Sequence, residues 1–286
     1  MSKSAVFMSF GRCDENGTIR LGKLAFRCNR GAQNMNQKTI QYQIPSYEGF
    51  AEGLSPPGTK TFRVGIIIGP GFLPMDMVGI HAVFGFCPGT EIHLLWKSLD
   101  LVEGFPSWWT RPTTTFDNCP DHFDVLAIPM LAPETTNDPE LIAFVAEQGR
   151  KARYVIGVCN GVVALGAAGL LKGKRVTTSI NSLPLLTQLG AAEVVTTGGV
   201  VVDGNIYTAR PSIGGFEAAL MVADRALGHQ SAQMANLIVE YDPHPPLGPG
   251  TVENAGKEIT DRYAGLIAGV IHEYSRGAIP AYEKWR

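Results

Sequence analysis

From Phe62 onward the chain alternates short β-branched apolar runs with stretches of helical periodicity, and this alternation constrains the fold more than any other feature. FRVGIIIG (62–69) is almost continuously apolar, as a strand buried on both faces requires. MDMVGIHAVFGF (75–86) follows at helical spacing, and EIHLLWKS (91–98) and DVLAIP (124–129) read as the next strands. DPELIAFVAEQGRKA (138–152) reads as an amphipathic helix with Asp138 as its N-cap, and RYVIGV (153–158) as another strand. A helix over 160–171, strands at KRVTTS and NIYTAR, and helices at 181–189, 214–227, 230–239 and 252–275 complete the pattern. Strands separated by helices of about 10–15 residues do not close as hairpins; they form a mostly parallel sheet covered on both faces. The expected organisation is an N-terminal extension (1–60), an α/β domain (61–250) and a C-terminal helix and tail (251–286).

The extension differs in character, being polar and rich in Asn, Gln and Gly up to the linker-like GLSPPGTK. Asn16-Gly17, between two semi-apolar stretches, signals a β-hairpin arm; a disordered tail is the alternative. A net charge of −2 without a basic block gives no basis for a nucleic-acid or anionic-membrane partner. No apolar run reaches the length of a membrane span, and residues 1–30 carry no secretory signal pattern, so a cytoplasmic location is expected. Five cysteines without CxxC or recurrent spacing argue against a disulfide framework and against a zinc site, so no metal is expected.

One cysteine stands apart. In YVIGVCNGVVALGAAGLL, Cys159 sits between Gly157 and Gly161, where a strand ends and a helix begins. Ligands of open α/β sheets bind beyond the carboxyl ends of the strands. G-x-C-x-G is the thiol counterpart of the nucleophile elbow, whose tight turn needs small residues on either side. Free N–H groups of the following helix are expected to lower the thiol pKa, and the Asn160 N–H to face developing negative charge. A buried structural thiol is the competing reading; for Cys87 and Cys119, each followed by Pro, it is the better one. No His neighbours Cys159, and the six histidines, with His272 among those assigned to loops or helix ends, carry no local signal. Asp76, an acid in apolar FLPMDMVGIHAVF, falls on the same rim; it is either a helix N-cap or a general acid/base of raised pKa.

The order VGIIIGPGF, MDMVGIHAVF, IHLLWK, TTTFDNCPDHFDVLAIP and ARYVIGVCNGVVALGAAGLLKGKRVTT resembles the ThiJ/PfpI superfamily, and within it the isonitrile hydratases. LGAAEVV, GGVVVDGNIYTARPSIGGFEAALMVADRALG and LIVEYDPHPP extend the likeness to about Pro246. The resemblance implies a flavodoxin-like three-layer sandwich, a homodimer, no cofactor, Cys159 as nucleophile and Asp76 as its acidic partner. It further implies addition of the thiol to an isocyanide carbon, then hydrolysis of the thioimidate to an N-substituted formamide.

Three positions depart from the family pattern. Met130-Leu131 stand where Gly-Gly is usual, leaving their backbone N–H groups as the expected oxyanion donors beside that of Asn160. Asn160 replaces the Thr of the hydratases and the His of peptidase-like relatives. Arg210-Pro211 interrupt the expected glycine-rich loop, and Arg210 is a candidate for an anionic substrate or a surface ion pair. Trp108 and Trp109 are candidates for an aromatic pocket wall or a dimer contact. The resulting expectation is a hydratase acting on a small carbon–nitrogen electrophile. Glyoxalase- or deglycase-like addition, amide hydrolysis and a non-catalytic thiol sensor are the alternatives. No helix-turn-helix follows the domain, which speaks against a DNA-binding regulator.

Overall fold

A computed structural model describes residues 18–21, 24–27, 53–55 and 57–285. The chain separates into two units, Met1–Ser46 and Tyr47–Arg286. In the smaller one, β1 (Thr18–Leu21) pairs antiparallel with β2 (Leu24–Arg27), Leu21 opposite Leu24. Asn16-Gly17, the expected hairpin signal, lies outside the described residues.

The larger unit runs β3 (Phe62–Ile67), α1 (Pro74–Gly85), β4 (Thr90–Trp96), β5 (Val102–Gly104), β6 (Trp108–Thr110), β7 (Thr114–Thr115) and β8 (Val125–Ile128). Then follow α2 (Pro133–Thr136), α3 (Pro139–Lys151), β9 (Tyr154–Val158), α4 (Gly161–Ala167), β10 (Arg175–Val176), α5 (Leu183–Gln188) and β11 (Glu193–Val194). The chain closes with β12 (Val200–Asp203), β13 (Ile206–Ala209), α6 (Ile213–Leu227), α7 (His229–Ile238) and α8 (Val252–Glu283). The linker-like stretch belongs to this unit rather than to the extension: the Ser55 hydroxyl accepts the Gly89 N–H at 2.8 Å.

The main sheet has seven strands in the order β12-β13-β9-β8-β3-β4-β7, parallel except for edge strand β12. Central β8 and β9 are buried along nearly their whole length, which explains their unbroken apolar sequence. Helices α1, α6 and α7 pack together, and α8 packs on α2 and α4. Every residue of α4 is buried, so its apolar character on all sides is that of a helix enclosed by protein. This is the flavodoxin-like architecture expected from the sequence.

Several elements differ from expectation. KRVTTS forms a strand only at Arg175–Val176, because the Thr177 N–H and the Thr178 hydroxyl bond to Thr208 Oγ1 and the Cys159 carbonyl instead of a ladder. The helix after Cys159 ends at Ala167, where Gly169 turns the chain at φ 74°. The C-terminal helix continues past 275 to Glu283, with non-helical Gly256 interrupting it near its start. His272 therefore lies within a helix, not at an end. Tyr274, Ala278 and Tyr282, spaced by four, form its buried face.

Candidate active site

The C-terminal ends of β8, β9 and β13 converge on Cys159. A β-carbon on Gly161 would lie 2.1 Å from the Ile128 carbonyl oxygen, and one on Gly157 2.6 Å from a Leu165 methyl. Both glycines are therefore required for α4 to start this close to the sheet. Cys159 itself adopts φ 53°, a left-handed conformation uncommon for a residue with a β-carbon. Its N–H donates to the Ala209 carbonyl at 3.0 Å, and its carbonyl accepts the Thr178 hydroxyl at 2.5 Å. The elbow is held from both sides in a conformation that costs energy.

Asp76 is the third residue of α1, whose N-cap is Leu73, so it is not the cap. Its side chain is fully buried. One carboxylate oxygen accepts the Met130 N–H at 3.0 Å and the other the Ser212 N–H at 2.6 Å. Burial raises its pKa from 3.8 to about 6, against the two N–H groups, which favour the ionised form. Ser212 has φ 62°, a second non-glycine residue in a left-handed conformation, and that turn aims its amide at Asp76.

The thiol departs from expectation. Burial pushes the Cys159 pKa up, the Asp76 charge adds to the rise, and the Asn160 N–H and Ser179 hydroxyl bonded to the sulfur only partly oppose it. Burial and the Asp76 charge together favour the protonated thiol over the thiolate. Desolvation outweighs the amino end of a seven-residue helix.

The backbone donors divide differently from the sequence reading. The Met130 N–H is bonded to Asp76 and the Asn160 N–H to the sulfur, so neither points at a separate oxyanion position. Leu131 takes part through its carbonyl, which accepts the hydroxyl of fully buried Tyr274 from α8. The Asn160 side chain bridges Tyr274 and Ser182, its Oδ1 accepting the Ser182 hydroxyl at 2.7 Å. Asn160 thus ties the elbow to the C-terminal helix. Ser179, Ser182, Ser212 and Tyr274 were not singled out by motif; only the 274/278/282 apolar spacing hinted that this part of α8 faces inward.

Trp108, Trp109 and Arg210 are not part of this hydrogen-bonded cluster. The tryptophans are 49 % and 58 % exposed on the β5–β6 hairpin, which is fastened to the loop after β3 by Gly71 N–H to Glu103 and Phe105 N–H to Phe72. The Arg210 guanidinium donates to the carbonyls of Thr196 and Gly198 and so steadies that loop. His93 is engaged by Thr114 and Glu91, and His229 by Asp224. Among the described residues no cluster of three or more His, Cys, Asp or Glu could hold a metal, and no helix is long and apolar enough to cross a membrane.

A parallel sheet with a cysteine at a strained strand-to-helix elbow and a buried acid beside it defines a flavodoxin-like protein with a thiol-centred site. Residues 62–225 match the DJ-1/PfpI family, and the chain belongs to it. It is 36 % identical over 201 residues to the isonitrile hydratase of Pseudomonas putida, covering 70 % of this chain and 87 % of that protein. A deglycase of Thermococcus kodakarensis is 26 % identical over 152 residues, 52 % of this chain and 89 % of that protein. The crystal structure of a ThiJ/PfpI family protein from Pseudomonas syringae superposes with a TM-score of 0.73 at 32 % identity, covering 78 % of this chain and 92 % of that one.

Proposed function

We propose that the protein is a cofactor-independent, cytoplasmic hydratase that adds water to a small carbon–nitrogen electrophile, an isocyanide, through a covalent adduct on Cys159. The observation that carries this reading is the neutral thiol paired with a buried carboxylate held by two backbone N–H groups. Addition to an isocyanide places both sulfur and hydrogen on one carbon. Asp76 takes the S–H proton as sulfur attacks and delivers it to that carbon, giving the thioimidate R–N=CH–S–Cys159. Water then adds to the C=N bond, and the C–S bond breaks to release R–NH–CHO and the free thiol. Thiol and acid are both regenerated.

The placement of the donors favours this chemistry over its relatives. Amide hydrolysis and glyoxalase- or deglycase-like addition place negative charge on a carbonyl oxygen and draw on preorganised N–H donors. Two of the expected donors here serve the acid and the sulfur instead. Attack on an isocyanide generates no oxyanion and needs a proton at carbon, which Asp76 supplies. A thiol of raised pKa is likewise poorly suited to sensing peroxide, which reacts with the thiolate.

Incubation with an alkyl isocyanide and mass spectrometry of the products tests the reading. N-alkylformamide is expected with the wild type and none with Cys159→Ser. A folded wild type giving neither formamide nor an adduct on Cys159, or a serine variant that retains turnover, would exclude it.

A further inference from the structure

Helix α8 is exposed on nearly all sides from Lys257 to Glu273 and is seated closely from Tyr274 onward. A β-carbon on Gly277 would lie 2.1 Å from the Asn137 carboxamide carbon, so a side chain there would push the helix away from the end of α2. The Asn137 Nδ2 donates to the Glu273 carbonyl at 2.8 Å, and the Trp285 Nε1 to the Ala167 carbonyl of α4 at 3.0 Å. Tyr274, fully buried, enters the site between these two anchors. Its hydroxyl donates to the Leu131 carbonyl. The Asn160 Oδ1 is occupied by the Ser182 hydroxyl, which leaves the Asn160 NH2 to donate to the tyrosine oxygen. Both residues held in this way adjoin the groups that hold the thiol and the acid. Met130, one position before Leu131, gives its N–H to Asp76 at 3.0 Å, and Asn160 gives its own N–H to the Cys159 sulfur. Other bonds to the Met130-Leu131 segment are the Leu73 N–H to the Met130 carbonyl at 2.9 Å and the Thr136 hydroxyl to the Leu131 carbonyl at 3.5 Å, the latter at the limit of a hydrogen bond.

We infer that Tyr274 is a positioning residue of the active site, which fixes the Asp76 carboxyl and the Cys159 sulfur relative to each other through Leu131 and Asn160. The inference deepens the reading above and rests on Cys159 and Asp76 being the reacting pair. Tyr274 lies beyond residues 62–225, so this part of the site comes from a helix outside the segment that matches the family. A single phenol touches the segments bearing both partners, and that is what distinguishes it from an ordinary packing contact. Moving a proton from sulfur to carboxylate and on to carbon demands close placement of both groups, and a misplacement of about 1 Å can cost about a hundredfold in rate. The Met130 N–H also favours the ionised form of Asp76. Removing the hydroxyl frees the Leu131 segment, weakens that N–H bond and moves the carboxyl pKa upward. Cys159 and Tyr274, the titratable groups that feel the Asp76 charge, both have pKa values raised by burial, so near pH 6 the carboxyl changes charge without them.

Carboxyl-carbon NMR titration of the full chain tests it, with the Asp76 resonance assigned by its loss in Asp76→Asn. The wild-type midpoint is expected at about 6, and Tyr274→Phe should raise it by about one pH unit. In formamide production the same variant should lower kcat by roughly tenfold or more and leave KM within about twofold. Trp285→Phe removes a different hydrogen bond of α8, the one to Ala167, and should leave both the midpoint and kcat unchanged. Sucrose in every sample offsets the stability that either substitution removes. An unmoved midpoint in Tyr274→Phe, an equal shift in Trp285→Phe, or a kcat for Tyr274→Phe equal to that of the wild type would overturn the inference. The titration needs no substrate, so a wild type that makes no formamide would refute the reaction, whereas a static midpoint would refute the positioning.

Discussion

Asp76 makes a quantitative demand on stability. Its pKa is about 6 in the folded protein against an ordinary 3.8, so the folded state holds its proton more tightly than the unfolded chain does. The stability this proton confers is complete below pH 3.8 and is lost as pH rises through 6, amounting to about 3 kcal/mol over the whole window. At pH 5 the folded group favours the proton roughly tenfold over the unfolded one, so about 1.4 kcal/mol of that stabilisation is present; at pH 7.5 almost none remains. Asp76→Asn removes the titration. It also sets one amide NH2 against a backbone N–H, but that penalty does not depend on pH. Urea unfolding of both proteins at pH 5 and 7.5 isolates the group, because other titrations cancel in the difference and the thiol stays protonated throughout. The wild type should lose about 1.4 kcal/mol relative to Asp76→Asn between the two pH values. Parallel pH profiles would show that the carboxyl is not desolvated and would remove the physical basis of its role as proton carrier.

The same carboxylate raises the thiol pKa, so Asp76→Asn should lower the pKa of Cys159, read from thiolate absorbance, while formamide production falls by roughly 100-fold or more. Gly161→Ala would force a β-carbon to 2.1 Å from the Ile128 carbonyl oxygen; the melting temperature should fall sharply, by an amount corresponding to about 3 kcal/mol or more, because backbone must move. Tyr274→Phe deletes the hydroxyl joining the Leu131 carbonyl to the Asn160 side chain and should cost about 1–3 kcal/mol in denaturant unfolding; a loss indistinguishable from zero would show that these groups find other partners.

The sheet was legible because its central strands are buried on both faces and their apolar runs are short and sharply bounded. Cys159 was legible because crowding at the elbow leaves only glycine at 157 and 161, so the backbone constraint is written as residue identity. Edge strand β12 was not recognised, although Gly204-Asn205 between it and β13 is a two-residue hairpin signal, with Gly204 at φ 65°. The β5–β6 hairpin was missed because its three-residue strands are too short to show a period. Asp76 and Asn160 apart, the sulfur's surroundings were not legible. Whether a helix terminus or desolvation governs a thiol depends on what encloses it, and Ser179 and Tyr274 arrive from segments with no motif to mark them.

Three features that local rules disfavour meet at this site, although Ser107 and Glu240 also adopt positive φ elsewhere. Cys159 and Ser212 carry β-carbons at positive φ, and Asp76 is ionisable yet wholly buried. Each costs about 1–3 kcal/mol, and each persists because rigid neighbours over-determine it. Cys159 is pinned to Ala209 and Thr178, and Ser212 lies between a strand buried along its length and a helix packed on α1. The costs are also coupled. The left-handed turn at Ser212 presents the amide that holds Asp76, and the charge of Asp76 adds to burial in raising the thiol pKa. Relaxing any one of them by substitution would remove the donor, or the acid or the thiol on which the proposed reaction rests. A protonated thiol and a carboxyl group, both desolvated, are what the proposed addition of sulfur and hydrogen to a single carbon would start from.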